Sequence, residues 1–472
     1  MKFFIFNVLM ILSINCFSQN NIILKEAAVD KRVELLSIVY RLAGSSTYNS
    51  QQNSKYVKNI DQYFGRYRNH DLIKYVKNNL IKSGINYDAV AIMAISITQP
   101  PKIKGIFPIT KDFPGYKWTK HKAKKFLKLL NSFYYDTNCE LFFKQNEKTY
   151  KTVSVDFQKV LNGFDIKWYQ NFYGQKSKKE YNTVINLAGG YGGYGPKINI
   201  GQTEVLYSIL GVWETDTIGN PIFNTDEYLP ILLHEFNHSF VNDIVEKYRA
   251  DLEKSGKIIY DLFKDEMINI GYNNWKTMFD ESIVRACVIK YMKDKNFDKK
   301  QIQKEINTQL NSGFVWIESL VEALEQYDNR RNEYADFDSF MPELVNYFDK
   351  ISQNINNLII VVNNKRPKII SIKPFDNKSV NVDYTINQIA INFNKPMKGG
   401  YSIYYGEKGK DAFPDIKNVY YSADKKTLYL DVRLIANKEY QFVMKGINFI
   451  SIDGFSIKNY TITFKTIKTF DR

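Results

Sequence analysis

His234-Glu235-Phe236-Asn237-His238 is framed by Leu232-Leu233 and Phe240-Val241, and its reading decides what the chain folds around. The chain has four histidines, and two of them are here. On an α-helix, residues i and i+4 share one face a turn apart, so two imidazoles at this spacing can grip one Zn²⁺. A glutamate beside the first imidazole stands off the ion, within reach of a water on it, where a general base is needed. The spacing predicts a helix that opens near Thr225-Asp226, either of which can cap it, and runs to about Glu253. Pro230 fits such a helix in its first turn, where backbone N–H groups have no partner.

A catalytic zinc site takes three protein ligands and keeps one position open. No histidine follows His238, and Ser255-Gly256-Lys257-Ile258-Ile259 holds no acid at a thermolysin-like distance. The third ligand must be a more distant acid. Glu281, in Phe279-Asp280-Glu281-Ser282-Ile283-Val284-Arg285-Ala286, opens an amphipathic helix and is the best candidate. Arg285 lies one turn on and could orient its carboxylate. Asp280, Glu266 and Asp243 are the reserves. Tyr191 and Tyr194, on the glycine loop 189–196, could donate a hydrogen bond to an oxyanion. The strand at 183–188 or at 203–210 could serve as a sheet edge for an extended peptide.

With 472 residues, the chain is too long for one ordinary core. An apolar content of 44% with 15% aromatics excludes a largely disordered protein. Lys2, the apolar run Phe3 to Ile14 and Cys16-Phe17-Ser18 read as a signal peptide over 1–18, so the mature protein is expected to be exported, periplasmic or extracellular. No later stretch is apolar enough to span a membrane. Cys139 and Cys287 remain after cleavage, too few for a disulfide scaffold. The net charge of +15 comes from lysines spread along the chain, and the denser Lys117 to Lys128 reads first as a solvated helix face, with a polyanion-binding patch as the lesser alternative. No nucleic-acid partner is expected.

Helical periodicity marks 25–44, 71–82, 87–97, 119–134 and 150–170, and a β-rich stretch spans 181–212. Helices return over 277–361, and Asn363 to Pro367 reads as a linker. Beyond it, short alternating strands at 369–372, 388–393, 402–405, 427–432, 440–444 and 460–464 predict an all-β sandwich.

Arg32 to Gly44, His70-Asp71, Leu232 to Asn242 and Glu281 to Ala286 together resemble a secreted bacterial domain-of-unknown-function family of zincin-like metallopeptidases, over roughly 25–355. The run 391–397, the stretch 422–428 and the closing Phe464-Lys465-Thr466 are similar to bacterial Ig-like domains. The resemblance implies an α+β fold: a zincin-like core, mostly helical with a small mixed sheet, over 19–362, then an Ig-like sandwich over 367–472. It supports Glu281 by position. The expected activity is zinc-dependent hydrolysis of peptide bonds through a metal-activated water, with Glu235 as base and a protein or peptide as substrate. Ig-like modules commonly act as spacers or in cell-surface or polysaccharide contact. Two rival readings stand beside this one: a non-enzymatic binding or adhesion protein with a structural or decayed metal site, and a zinc amidase acting on cell-wall peptide or glycoconjugate.

Overall fold

Residues 23–50, 53–110, 113–115, 117–174 and 179–468 are described in a computed structural model of the chain. The expected signal peptide lies outside them. The chain divides into two compact units, Met1–Ser239 and Phe240–Arg472, and the division falls inside one helix.

In the first unit, β1 (Ile23–Leu24) precedes a run of helices: α1 (Lys31–Leu42), α2 (Lys55–Phe64), α3 (Asp71–Tyr75), α4 (Asp88–Ile95), α5 (Lys120–Asp136), α6 (Cys139–Gln145), α7 (Glu147–Leu161) and α8 (Ile166–Tyr173). Then come β2 (Lys179–Ile185), β3 (Gly193–Tyr194), β4 (Lys197–Ile200), β5 (Thr203–Leu210) and the short pair β6 (Glu214–Thr215) and β7 (Pro221–Ile222). The predicted helix at 25–44 starts only at Lys31, because the residues before it continue the pairing with β2 instead: the Lys25 N–H donates to the Tyr181 carbonyl at 2.9 Å and Ala28 bridges Val184 in parallel. The predicted 71–82 helix loosens after Tyr75 into a π turn and a 3₁₀ turn. His70 caps α3, its Nδ1 accepting from the Leu72 N–H at 3.1 Å. The 150–170 segment is two helices, broken at 162–165.

β2 and β5 are parallel, and β3 and β4 both run antiparallel to the other side of β5. The sheet is therefore mixed, as expected. Neither proposed edge is an edge, however. β5 is paired on both sides, and β2 lies between β5 and β1, with Ala28 extending that border opposite Val184. The β3–β4 segment forms the outer border of the sheet among the described residues.

α9 (Thr225–Lys247) crosses the division between units. Its cap is neither Thr225 nor Asp226 but the preceding residue: the Asn224 Oδ1 accepts from the Asp226 N–H at 3.0 Å. This start puts Pro230 sixth in the helix, past the first turn, so it forfeits one intrahelical hydrogen bond. The helix also ends earlier than its pattern predicts. Tyr248 leaves helical geometry, and α10 (Arg249–Leu262) follows as a separate helix.

The second unit continues with α11 (Lys264–Asn269), α12 (Trp275–Asp294), α13 (Lys299–Asn311), α14 (Ile317–Asn329) and α15 (Phe337–Lys365). Then come β8 (Ile369–Lys373), β9 (Gln388–Phe393), β10 (Ile403–Tyr405), β11 (Asp415–Tyr421), β12 (Thr427–Arg433), β13 (Glu439–Met444) and β14 (Tyr460–Lys465). These strands form two antiparallel sheets, β11-β12-β9-β8 and β10-β13-β14. Ile389, Ile391 and Leu430 from one sheet share a core with Phe442, Met444 and Ile462 from the other. β11 is the strand that periodicity did not mark.

The predicted linker at 363–367 is helix as far as Lys365. Arg366 then ties the strands to the helices, donating to the Ser456 carbonyl at 2.9 Å and to the Leu310 carbonyl at 3.1 Å. Cys139 and Cys287 are both buried, and no disulfide is present among the described residues.

Candidate metal centre

α9 carries its motif on a firmly packed helix turn. Phe236 is fully buried against Phe164 and Tyr181, with ring centroids 5.0 and 5.2 Å away. The Tyr169 hydroxyl donates to the Leu233 carbonyl at 3.1 Å, and the Tyr173 hydroxyl to the Asn237 Oδ1 at 3.0 Å. Asn237 is completely buried, and a hydrogen bond of this kind contributes about 0.5–1.5 kcal/mol. These contacts leave His234 and His238 half-buried on their shared face.

Their rings stand nearly perpendicular, 84° apart, with the two Nε2 atoms 3.1 Å from each other. Two nitrogens each about 2.0–2.1 Å from one tetrahedral ion lie about 3.3 Å apart, so the pair is already spaced for a shared cation. Glu281, on α12, is buried at 7% exposure. His234, His238 and Glu281 each offer a ligand atom, all within 4.8 Å of one another, and they are the one such cluster among the described residues. Two imidazoles and one carboxylate form a donor set that suits zinc.

Glu281 is held within its own unit. Its Oε2 accepts from the Tyr272 hydroxyl at 2.7 Å and lies 3.1 Å from the Arg285 guanidinium. Arg285 also donates to the Tyr272 hydroxyl at 2.6 Å and to the Gln309 Oε1 at 2.7 Å. Burial disfavours the guanidinium charge, yet Glu281 and Tyr272 hold its pKa above the ordinary value. Burial first, and then the Glu281 charge, push the Tyr272 phenol up as well, so it remains a donor. Tyr272 carried no sequence signal. It sits on an irregular loop nine residues before its partner, where neither helix period nor motif applies.

Of the reserves, Asp280 is paired instead with Arg249 at 2.7 Å. Neither Glu266 nor Asp243 is part of the cluster.

Glu235 is 8% exposed, and the glycine loop packs directly on it. A Cβ on Gly193 would come within 2.9 Å of the Glu235 Oε1, and one on Gly195 within 2.4 Å of its carbonyl oxygen. Only glycines let the sheet border pass this close to the carboxylate. The two loop tyrosines differ. Tyr191 is 54% exposed, whereas the Tyr194 hydroxyl is buried. Burial, reinforced by Asp88 and Glu235, keeps the Tyr194 phenol protonated. Behind the loop, Glu34 of α1 is wholly buried and accepts from the Leu187 N–H at 2.5 Å. Desolvation pushes its pKa up to about 8, so it is mostly protonated at neutral pH.

Residues 116–347, which include all three candidate ligands, match the family model described as a domain of unknown function (DUF4932). No curated protein matches the chain. Among solved structures, CopC from Methylosinus trichosporium OB3b is 18% identical at a TM-score of 0.18, the alignment covering 22% of this chain and 98% of CopC. Domains 1–6 of the surface layer protein SbsC are 16% identical at a TM-score of 0.18, with 55% of this chain and 35% of that chain covered. Scores at this level define no common fold. No described helix is long and apolar enough to cross a membrane.

Proposed function

We propose that the chain is an exported zinc-dependent metallopeptidase with a zincin-like core and an Ig-like C-terminal module. One observation carries the reading: the convergence of ligand atoms from His234, His238 and Glu281 within 4.8 Å. His234 and His238 would hold the ion through Nε2 and Glu281 through its carboxylate. A zinc ion bound there supplies Lewis-acid polarisation of a carbonyl and a water acidified toward neutral pH.

The protein's own residues do the rest. Glu235 takes a proton on its carboxylate and returns it to the leaving amine. Its burial against Gly193 and Gly195 excludes bulk water from one side and keeps the group beside the sheet border. The β3–β4 segment offers that border to an extended peptide, whose backbone would pair with it. Arg285 and Tyr272 orient Glu281 and neutralise part of its charge. An intact Glu235 favours catalysis over a purely structural site, which needs no base at that place.

Metal analysis of the full chain beside a Glu235→Gln variant tests the proposal. Wild type should hold about one zinc per chain and cleave peptides from a mixed library. The variant should hold the same metal and lose cleavage by about a hundredfold or more. Equal cleavage by both would rule out the assigned base. Metal without turnover in wild type would favour the binding-protein reading.

A further inference from the structure

The second unit contains a continuous chain of contacts from the candidate ligand Glu281 to the C-terminal sheets, and it runs through α13. Gln309 of α13 is 3% exposed and accepts from Arg285 at 2.7 Å. Its own amide nitrogen is committed to Glu305, one turn back on the same face. Arg285 depends on this acceptor. Its Nε is buried with no hydrogen-bond partner among the described residues, so Tyr272, Glu281 and Gln309 are its polar anchors. Phe314 and Tyr272 flank the guanidinium, 5.1 and 5.7 Å from it.

Residues two positions either side of Gln309 face the other way round the helix. These are Asn307 and Asn311, and both grip the loop 451–456 of the β-sheet region. The Asn307 amide donates to the Asp453 carbonyl at 3.0 Å, and the Asn311 amide to the Gly454 carbonyl at 2.9 Å. Asn311 also accepts from the Ser456 N–H at 3.0 Å. Gly454 has φ +92°, and a Cβ there would come within 2.7 Å of the Asn307 amide nitrogen, so the loop is shaped to this contact. Arg366 locks the same end of the helix through the Leu310 carbonyl and Ser456.

From this we infer that α13 is a strut. Its inner face positions Arg285 and through it Glu281, while its outer face is pinned by the docked sheets, so docking of the C-terminal module sets metal affinity. Gln309, Asn307 and Asn311 are positioning residues in this account. The inference rests on the metal-centre reading above.

The test uses the full chain and Zn²⁺ alone, titrated in competition with a chromophoric chelator. Visible absorption of the Co²⁺-substituted protein and thermal unfolding of the apo protein accompany it. Gln309→Met should weaken Zn²⁺ binding about tenfold and shift the Co²⁺ bands, since partners behind a ligand commonly change affinity by about 10–100-fold. The double variant Asn307→Ala/Asn311→Ala, remote from the ligands, should weaken it roughly threefold in the same direction. Unchanged affinity and an unchanged Co²⁺ spectrum in the double variant, whatever its melting temperature, would overturn the strut and leave the metal centre standing. A wild-type chain that takes up no Zn²⁺ would instead overturn the reading beneath it. If the double variant does not fold, Asn311→Ala alone is read by the same criterion.

Discussion

His234 and His238 meet because they are one helix turn apart, whereas Glu281 is held in place by Tyr272, Arg285 and Gln309, drawn from a loop and two helices. The first arm needs only a helix, and any helix supplies that spacing. The second needs a particular arrangement of separate elements. Local geometry is robust and readable. Assembled geometry is specific and exposed to damage at a distance.

The largest expected effect strikes the local arm. His238→Ala removes one of the three proposed ligands, and zinc content should fall from about one per chain to near zero at micromolar metal. Retention of stoichiometric zinc would show that the i,i+4 pair is not the core of the site. Glu34→Gln probes the packing behind the glycine loop, where Glu34 holds the Leu187 N–H. The folded carboxyl titrates near pH 8, above its usual value, so the folded state holds a proton that the unfolded chain releases near pH 4.5. Its contribution is full below that pH and is lost as pH rises toward 8. Thermal melts at pH 5 and pH 8 should therefore show a drop in wild type that is smaller in the variant, and parallel drops would dismiss the assignment.

Gly195→Ala comes next. Its Cβ would sit 2.4 Å from the Glu235 carbonyl oxygen, a backbone atom that cannot swing aside, and overpacking of this kind costs about 1–3 kcal/mol. Peptide cleavage should fall while zinc content holds, and full activity would mean the sheet border does not constrain Glu235. Tyr272→Phe is the smallest change and the cleanest probe of the assembled arm. It deletes one hydroxyl between Glu281 and Arg285, and zinc affinity should drop about tenfold. An unaltered affinity would mean that Arg285 alone orients the carboxylate.

Much of this was readable in advance, for reasons that differ from element to element. α9 and α12 carry apolar positions at helical steps, and the motif fell on the first of them. β9, β12 and β13 alternate because one face of each is buried, and each was marked within a residue or so. β5 reads differently, buried along nearly its whole length between β2 and the β3–β4 border, and its central place was missed. Periodicity reports burial and says nothing of neighbours. The 363–367 stretch looks like a linker by composition, yet it is helical to Lys365 and Arg366 is tied down, because Leu310 and Ser456 supply acceptors that no local pattern encodes. α6, only seven residues long, went unmarked for a related reason: short helices against large neighbours are held by packing more than by propensity.

The amino-acid order by itself determined the histidine pair, the glutamate between them, and the division between helix-rich and strand-rich stretches, since each depends on spacings of two to four residues along a regular backbone. Only the tertiary structure decided which acid joins the pair, that glycines 193 and 195 press on Glu235, and that the C-terminal sheets grip α13. Those outcomes depend on hydrogen bonds and steric limits between residues far apart in the chain, where close approach is set by how whole elements pack.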